Sequence, residues 1–211
     1  IPNGVDLDEM NKTEPLDENI LIKIPKDKFI VAYTGTKGIA NALKHLIETG
    51  KLLKDYNNIL ILIVGEGGEK ENLKNLAKDC EYIKFLPSIP KRQVHSLLKL
   101  VDVCYIGCKN KNLYKYGVSQ NKIFDYMFAE KPIIHSINTK NDIISKANCG
   151  ITVEAENPSA IADAILKLYN MPEEEKDRLG KNGLEYVKKH HDISILAKRL
   201  INIIEKGEVN E

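Results

Sequence analysis

Ile59-Leu-Ile-Leu-Ile-Val-Gly-Glu-Gly-Gly68 joins six consecutive apolar residues to a glycine turn, and residues 69–79 then carry Leu73, Leu76 and Ala77 at helical spacing. A strand that is apolar at every position has no side to turn toward water, so it belongs inside a sheet covered on both faces. The same alternation repeats outward from it. Upstream lie a short β-rich run at 29–33, the turn Thr-Gly-Thr-Lys-Gly (34–38), and a helical stretch at 39–54 with Leu43, Leu46, Ile47 and Leu53 on one face. Downstream come a strand at 82–85, Leu-Pro-Ser-Ile-Pro (86–90), a helix at 93–100 and a strand at 101–106. After a loop and helix at 107–130, strands at 132–135 and 150–153 flank a helix at 141–147, and Pro158–Tyr169 is helical. Short apolar strands separated by helices predict an α/β domain with a Rossmann-like, doubly wound parallel sheet. Ligands of such sheets bind outside the carboxyl ends of the strands.

Composition narrows the function classes. A chain of 211 residues with 43% hydrophobic residues supports a sizeable core in one or two domains. With 31 basic against 30 acidic residues, nothing advertises a nucleic-acid or anionic-membrane surface. Cys80, Cys104, Cys108 and Cys149 are scattered, which fits buried, reduced, cytosolic thiols, and none has zinc-ligand spacing, so no metal site is expected. No apolar run approaches the length of a membrane span. Residues 1–28, rich in Pro, Asn, Asp, Glu and Lys, are expected to be an inter-domain linker that enters a domain at 29–189. The turn-rich start suggests a piece of a longer protein. Beyond a break at His190-His-Asp192, residues 190–211 carry a final helix, apolar at 193, 196, 197, 200 and 204.

Four turns converge on the ligand edge: 34–38, 65–68, 86–90 and 107–120. Thr36, Lys37 and Gly38 offer a hydroxyl, a cation and close backbone approach to a phosphorylated ligand, although such glycines also suit ordinary turns. Gly65 and Gly67 stand beside Glu66 and Glu69, which repel phosphate, so that turn meets another part of the ligand or merely turns. In Tyr114–Pro132, Ser119 is a good N-cap, and Ile123, Phe124, Met127 and Phe128 form one apolar arc. Lys122 and Asp125 lie opposite, with Asn121 beside them. Lys122 sits in the first turn, where the macrodipole disfavours a cation by about 0.3–1 kcal/mol. A cation beside unpaired N–H groups makes sense if an anion lands between them, and Asp125 one turn on is suited to a sugar diol. A solvated face with an i,i+3 ion pair is the competing reading.

Ile-Pro-Asn-Gly-Val-Asp (1–6), Tyr-Thr-Gly-Thr-Lys-Gly (33–38), Ile-Val-Gly-Glu-Gly (63–67), Phe-Leu-Pro-Ser-Ile-Pro (85–90) and Ser-Gln-Asn-Lys-Ile-Phe-Asp-Tyr-Met…Lys-Pro-Ile-Ile (119–134) follow one another in an order that resembles the C-terminal half of family 4 glycosyltransferases. The resemblance covers nearly the whole chain. It implies the GT-B architecture of two facing Rossmann-like domains, of which this is the donor-nucleotide half. The branch it is most similar to transfers sugars from UDP-sugars, with retention and without a metal or cofactor, in bacterial surface-polysaccharide assembly. Asp125 stands where the family has a ribose-binding Glu. Gly117, Val118, Ser119, Gln120 and Asn121 stand where the donor sugar and diphosphate are met. Leu86, Pro87 and Ser88 align with the base-contacting segment, and Gly38 with the phosphate-approaching glycine. Lys122 and Lys37 are the implied catalytic cations that stabilise the departing diphosphate. Two departures are clear: the family's Glu-x7-Glu pair has Gly117 in its first place, and its Gly-Arg is Gly35-Thr36. The resemblance further implies a missing N-terminal acceptor-binding domain, met by the final helix, and a cytoplasmic enzyme whose missing half makes any contact with the inner membrane face. An α/β interaction module and a UDP-sugar epimerase are the alternatives. The epimerase needs an acid–base pair, and beyond Asp125 and His135, which ends a strand on the ligand edge, that edge lacks one; His45, His95, His190 and His191 read as surface or satisfied histidines.

Overall fold

The computed structural model describes residues 2–118 and 120–206. Strands β1 (Phe29–Thr34), β2 (Ile59–Val64), β3 (Ile83–Leu86), β4 (Val103–Gly107), β5 (Ile133–Ser136) and β6 (Gly150–Val153) form one sheet. Every pairing is parallel, and the order is β3-β2-β1-β4-β5-β6. The chain builds outward from β1 to β3, then returns to the other side of β1. The crevice between the carboxyl ends of β1 and β4 is therefore the topological switch point, where such sheets take their ligands.

The helices are α1 (Leu7–Asn11), α2 (Glu18–Leu21), α3 (Leu43–Leu52), α4 (Lys70–Leu76), α5 (Val94–Leu98), α6 (Asn121–Phe128), α7 (Ile143–Ala147), α8 (Pro158–Tyr169), α9 (Glu173–His190) and α10 (Ile193–Lys206). Alternate residues of β2 feed two cores. Leu60, Leu62 and Val64 pack with α2, α5, α6 and α7, whereas Ile59, Ile61 and Ile63 pack with α3, α4 and α8. That is the two-sided burial an uninterrupted apolar strand requires. All four cysteines are buried free thiols.

Two sequence expectations change. The segment expected to be a linker carries α1 and α2 and docks on the domain: Met10, Ile20 and Ile24 are buried, and Ile20 and Ile24 join the core beside α5. Three apolar side chains at about 1.5–3 kcal/mol each are enough to hold such a polar stretch in place. The helix expected from Ile39 is split. A 3-10 turn over Ile39–Asn41 ends at Ala42 in the left-handed region (φ +49°), and α3 starts only at Leu43. Finally, α9 and α10 break at His191-Asp192 as anticipated, but the junction is tied back to the N-terminus: Val5 and Asp192 form a parallel bridge, and His191 stacks on Phe124 at 4.5 Å. Of the α10 stripe Leu196 is buried, while Leu200 and Ile204 are exposed with Ile193, Ile195 and Ile201.

Candidate functional site

At the switch point lies an open cleft of about 620 Å³. Thr34, Gly35, Thr36 and Asn41 form one wall, and Val64, Gly65 and Glu66 the floor beyond it. Ser88, Ile89 and Val94 close the far end, and Gln120, Asn121, Lys122 and Asp125 enter from the first two turns of α6. Glu66 is neutralised by Lys70 at 2.8 Å, so this floor is less hostile to an anion than the bare sequence suggests.

Lys122 is the cation of this cleft. Its Nζ donates to the Tyr33 hydroxyl at 2.7 Å, approaches Asn41 Oδ1 at 3.4 Å and lies 4.1 Å from the centre of the Tyr33 ring. Tyr33 in turn donates to the Thr36 carbonyl at 2.6 Å. Gly35 has φ +132°, and a Cβ placed there would come within 3.1 Å of Lys122 Nζ, so glycine leaves the ammonium its place. Burial pulls the Lys122 pKa down to about 8, against the opposing influence of Cys108 and Asp125. No ion pair forms between Lys122 and Asp125, so the solvated-face reading does not describe this arc. Gln120, which precedes α6, makes no side-chain cap hydrogen bond. The Ile123 N–H meets the Gln120 carbonyl at 3.0 Å, and among the described residues nothing takes the N–H groups of Asn121 and Lys122, which are left for a ligand. Ser119, the expected N-cap, lies outside the described residues.

Asp125 sits one turn on, partly exposed to the cleft, and burial raises its carboxyl above the ordinary value while Lys91 and Lys122 oppose this. Behind it stands His95, whose Nε2 is 3.9 Å from Asp125 Oδ1. The sequence pattern offered Asp125 and His135 on the ligand edge; the fold instead brings His95 to Asp125 across 30 positions.

Lys37 has a different post. It is fully buried, and its Nζ donates to the carbonyls of Gly65 and Leu86. Its backbone continues the lacing, with Lys37 N–H to Glu66 O at 2.7 Å and Glu69 N–H to Lys37 O at 3.0 Å. Burial lowers its pKa. The ammonium clips three turns together and does not line the cleft.

Other expected residues fall beside the cleft rather than in it. Gly38 lines a smaller recess with His45 and Lys109, because the 3-10 turn carries it away. Gly67 (φ +152°) is needed for packing: a Cβ there would stand 2.5 Å from Lys37 O. Leu86 is buried in the core and contributes its carbonyl, and Pro87 is exposed outside the lining, so of that segment Ser88 faces the site. Val118 turns to a recess behind α6 with Asn141 and His191, and Gly117 abuts Asn141. Thr36, Gly65, Ser88, Gln120, Asn121, Lys122 and Asp125 all line the one cleft. Asn41, Tyr33, Ile89 and Val94 are additions. A tyrosine closing an aliphatic strand was the available signal for Tyr33, since a buried phenol needs a partner. His135 points away from the cleft, buried with neither ring nitrogen paired and its pKa lowered to about 4 by burial.

Comparison with known proteins agrees with this geometry. Residues 19–186 match the family described as "Glycosyl transferases group 1". The chain belongs to the group 1 glycosyltransferases. A curated relative, "Putative glycosyltransferase EpsD" of Bacillus subtilis (strain 168), is 25% identical over 188 residues, covering 85% of this chain and 47% of the relative. The chain thus spans about half the length of that curated relative. Among solved structures, the C-terminal domain of a group 1 glycosyltransferase (LpcC) from Francisella tularensis superposes with TM-score 0.70 at 19% identity, covering 90% of this chain and all of that one. Anabaena HepE, solved with UDP and glucose, superposes with TM-score 0.72 at 14% identity over 97% of this chain and 55% of that one. These likenesses give this group 1 glycosyltransferase the fold of a GT-B C-terminal domain. Among the described residues, no group of three His, Cys, Asp or Glu side chains is placed to hold a metal ion, and no helix is long and apolar enough to cross a membrane.

Proposed function

We propose that the cleft is the donor-nucleotide site of a glycosyltransferase that uses a UDP-sugar, with retention and without metal or cofactor, in surface-polysaccharide assembly. The observation that carries this reading is the pairing of Lys122 with the Asn121 and Lys122 N–H groups at the start of α6, at one end of the cleft, and Asp125 one turn further along. A diphosphate placed between Lys122 Nζ, the α6 N–H groups and the Gly35 backbone leaves the ribose diol facing Asp125. The base then lies toward Ser88, Ile89 and Val94. When the bond from the anomeric carbon to the β-phosphate oxygen breaks, negative charge grows on that phosphate, where the ammonium and the amides already point. A neighbour of this fold solved with UDP and glucose supports the choice of nucleotide.

The acceptor has no evident place on this chain. A facing N-terminal domain supplies it in our reading, and the exposed side of α10 packs against that domain. In this reading the reaction takes place in the cytoplasm, with any contact with the inner membrane face made by the other half. The test is calorimetric titration of UDP and of uridine, with EDTA and with added Mg²⁺. We expect metal-indifferent binding of UDP, tighter than that of uridine, and weakening of both ligands in Asp125→Ala. Binding that depends on Mg²⁺ would overturn the metal-free mechanism.

A further inference from the structure

The wall behind Asp125 holds a second ionisable ring. His95 follows Val94, which lines the cleft, at the start of α5. The residue is only 7% exposed, and its ring stands edge-on to Phe128 with centroids 5.0 Å apart. Nε2 faces Asp125 Oδ1 at 3.9 Å, and Nδ1 is buried with no hydrogen-bond partner. A ring held in an apolar wall, with one nitrogen unpaired and the other aimed at a carboxylate, has one evident use for its proton.

Burial lowers the His95 pKa, and Lys99 and Lys91 act in the same direction, so the ring is neutral at pH 7. A neutral imidazole carries a single N–H, and the neighbouring carboxylate draws it to Nε2. Asp125 needs such a donor. Its stem is short, it is set into the wall, and burial favours its protonated form, which turns one of the two acceptor oxygens into a donor and accepts the diol more weakly. Lys122 points the other way, to Tyr33. At 3.9 Å the contact is longer than a hydrogen bond, so the role inferred below requires the carboxylate to turn toward Nε2.

We propose that His95 is a positioning residue: as an Nε2–H imidazole it holds the Asp125 carboxylate ionised and turned toward the ribose diol of the donor nucleotide. This rests on the donor-site reading above, and it makes the site selective for ribose over 2′-deoxyribose.

The experiment titrates the 211-residue chain and its variants with UDP and with 2′-deoxy-UDP at pH 7. One hydrogen bond corresponds to about a two- to tenfold preference for UDP in the unmodified protein. His95→Ala should bring that preference close to one by weakening UDP while leaving 2′-deoxy-UDP nearly unchanged. His95→Gln, whose amide nitrogen reaches the Nε2 position, should restore it, and His95→Asn, which is too short, should not. The Gln and Asn pair decides the matter if the Ala variant does not fold. A preference that survives in His95→Ala or His95→Asn but vanishes in Asp125→Asn would overturn the role of His95 and leave the donor reading intact. Equal losses of both nucleotides in His95→Ala would do the same. An unmodified protein that binds neither nucleotide, or a preference unaffected by Asp125→Asn, would overturn the donor reading itself.

Discussion

Lys37 and Lys122 stand on two turns that face each other across one cleft, and they have opposite employments. Lys37 follows Gly35-Thr36 in a turn that looks built for phosphate, yet it is buried and given over to the carbonyls of Gly65 and Leu86. Lys122 is on a helix turn that should repel it, and it lies on the cleft wall, held by a phenol and an amide. The difference is in the partners. Backbone carbonyls fixed by β2 and β3 cannot move aside for a ligand, whereas the Tyr33 hydroxyl and Asn41 side chain can yield the ammonium at the cost of weak contacts. A glycine-rich turn with a lysine therefore does not say which lysine meets the anion.

Substitution can break this contrast. Lys37→Ala strips the buried Gly65 carbonyl of its donor, leaves Leu86 O only the Gly65 N–H, and removes a buried stem. It should lower stability by about 2–4 kcal/mol, read as a shifted urea midpoint. A loss below the error of that measurement would remove the clip from the account. Lys122→Ala should leave the melt nearly unchanged and weaken UDP by about 1.5–3 kcal/mol, the worth of a charge-assisted contact, while uridine is untouched. Equal small losses for both ligands would return Lys122 to a supporting role.

The pH dependence sharpens the same point. The Lys122 pKa in the free protein is about 8, and a bound diphosphate raises it. Its contribution to UDP affinity is thus whole below pH 8 and is lost as pH rises through the raised value. Affinity should fall by up to about tenfold per pH unit between about pH 8 and that raised value and level off above it, and titrations of Lys122→Ala should be flat throughout. The smallest expected effect is on α10. Leu200→Lys on its exposed stripe should change stability by no more than about 0.5 kcal/mol, but reduce concentration-dependent self-association in sedimentation runs. A fall in melting temperature of many degrees would mean the helix packs on its own sheet.

The elements best foreseen were those whose own side chains decide their environment. β2 and α8 fall where the sequence pattern sets them, because an all-apolar run and an Asn157-Pro158 start leave little choice. β4 begins at Val103 instead of Val101 because Asp102 first accepts the Ile30 N–H at 2.6 Å, a tie between distant positions. The buried arc of α6 includes Tyr126, whose hydroxyl takes the Thr34 N–H at 2.8 Å, and it leaves Phe128 half-buried against His95. The site was half legible for the same reason. Lys122 is out of place in the first turn of its helix by local rules, and Asp125 follows one turn on, so the pair could be noticed. The burial of Lys37, the left-handed Ala42 that brings Asn41 to the cleft, and the approach of His95 to Asp125 depend on tertiary packing, and no local pattern signals them.

The most direct test is a crystal structure of the chain soaked with UDP. The account predicts the diphosphate within hydrogen-bond distance of Lys122 Nζ and the first N–H groups of α6, the ribose hydroxyls on Asp125, and Lys37 still bound to Gly65 and Leu86. A diphosphate seated on Lys37 at the glycine turns, or UDP lying outside the cleft between β1 and β4, would contradict it.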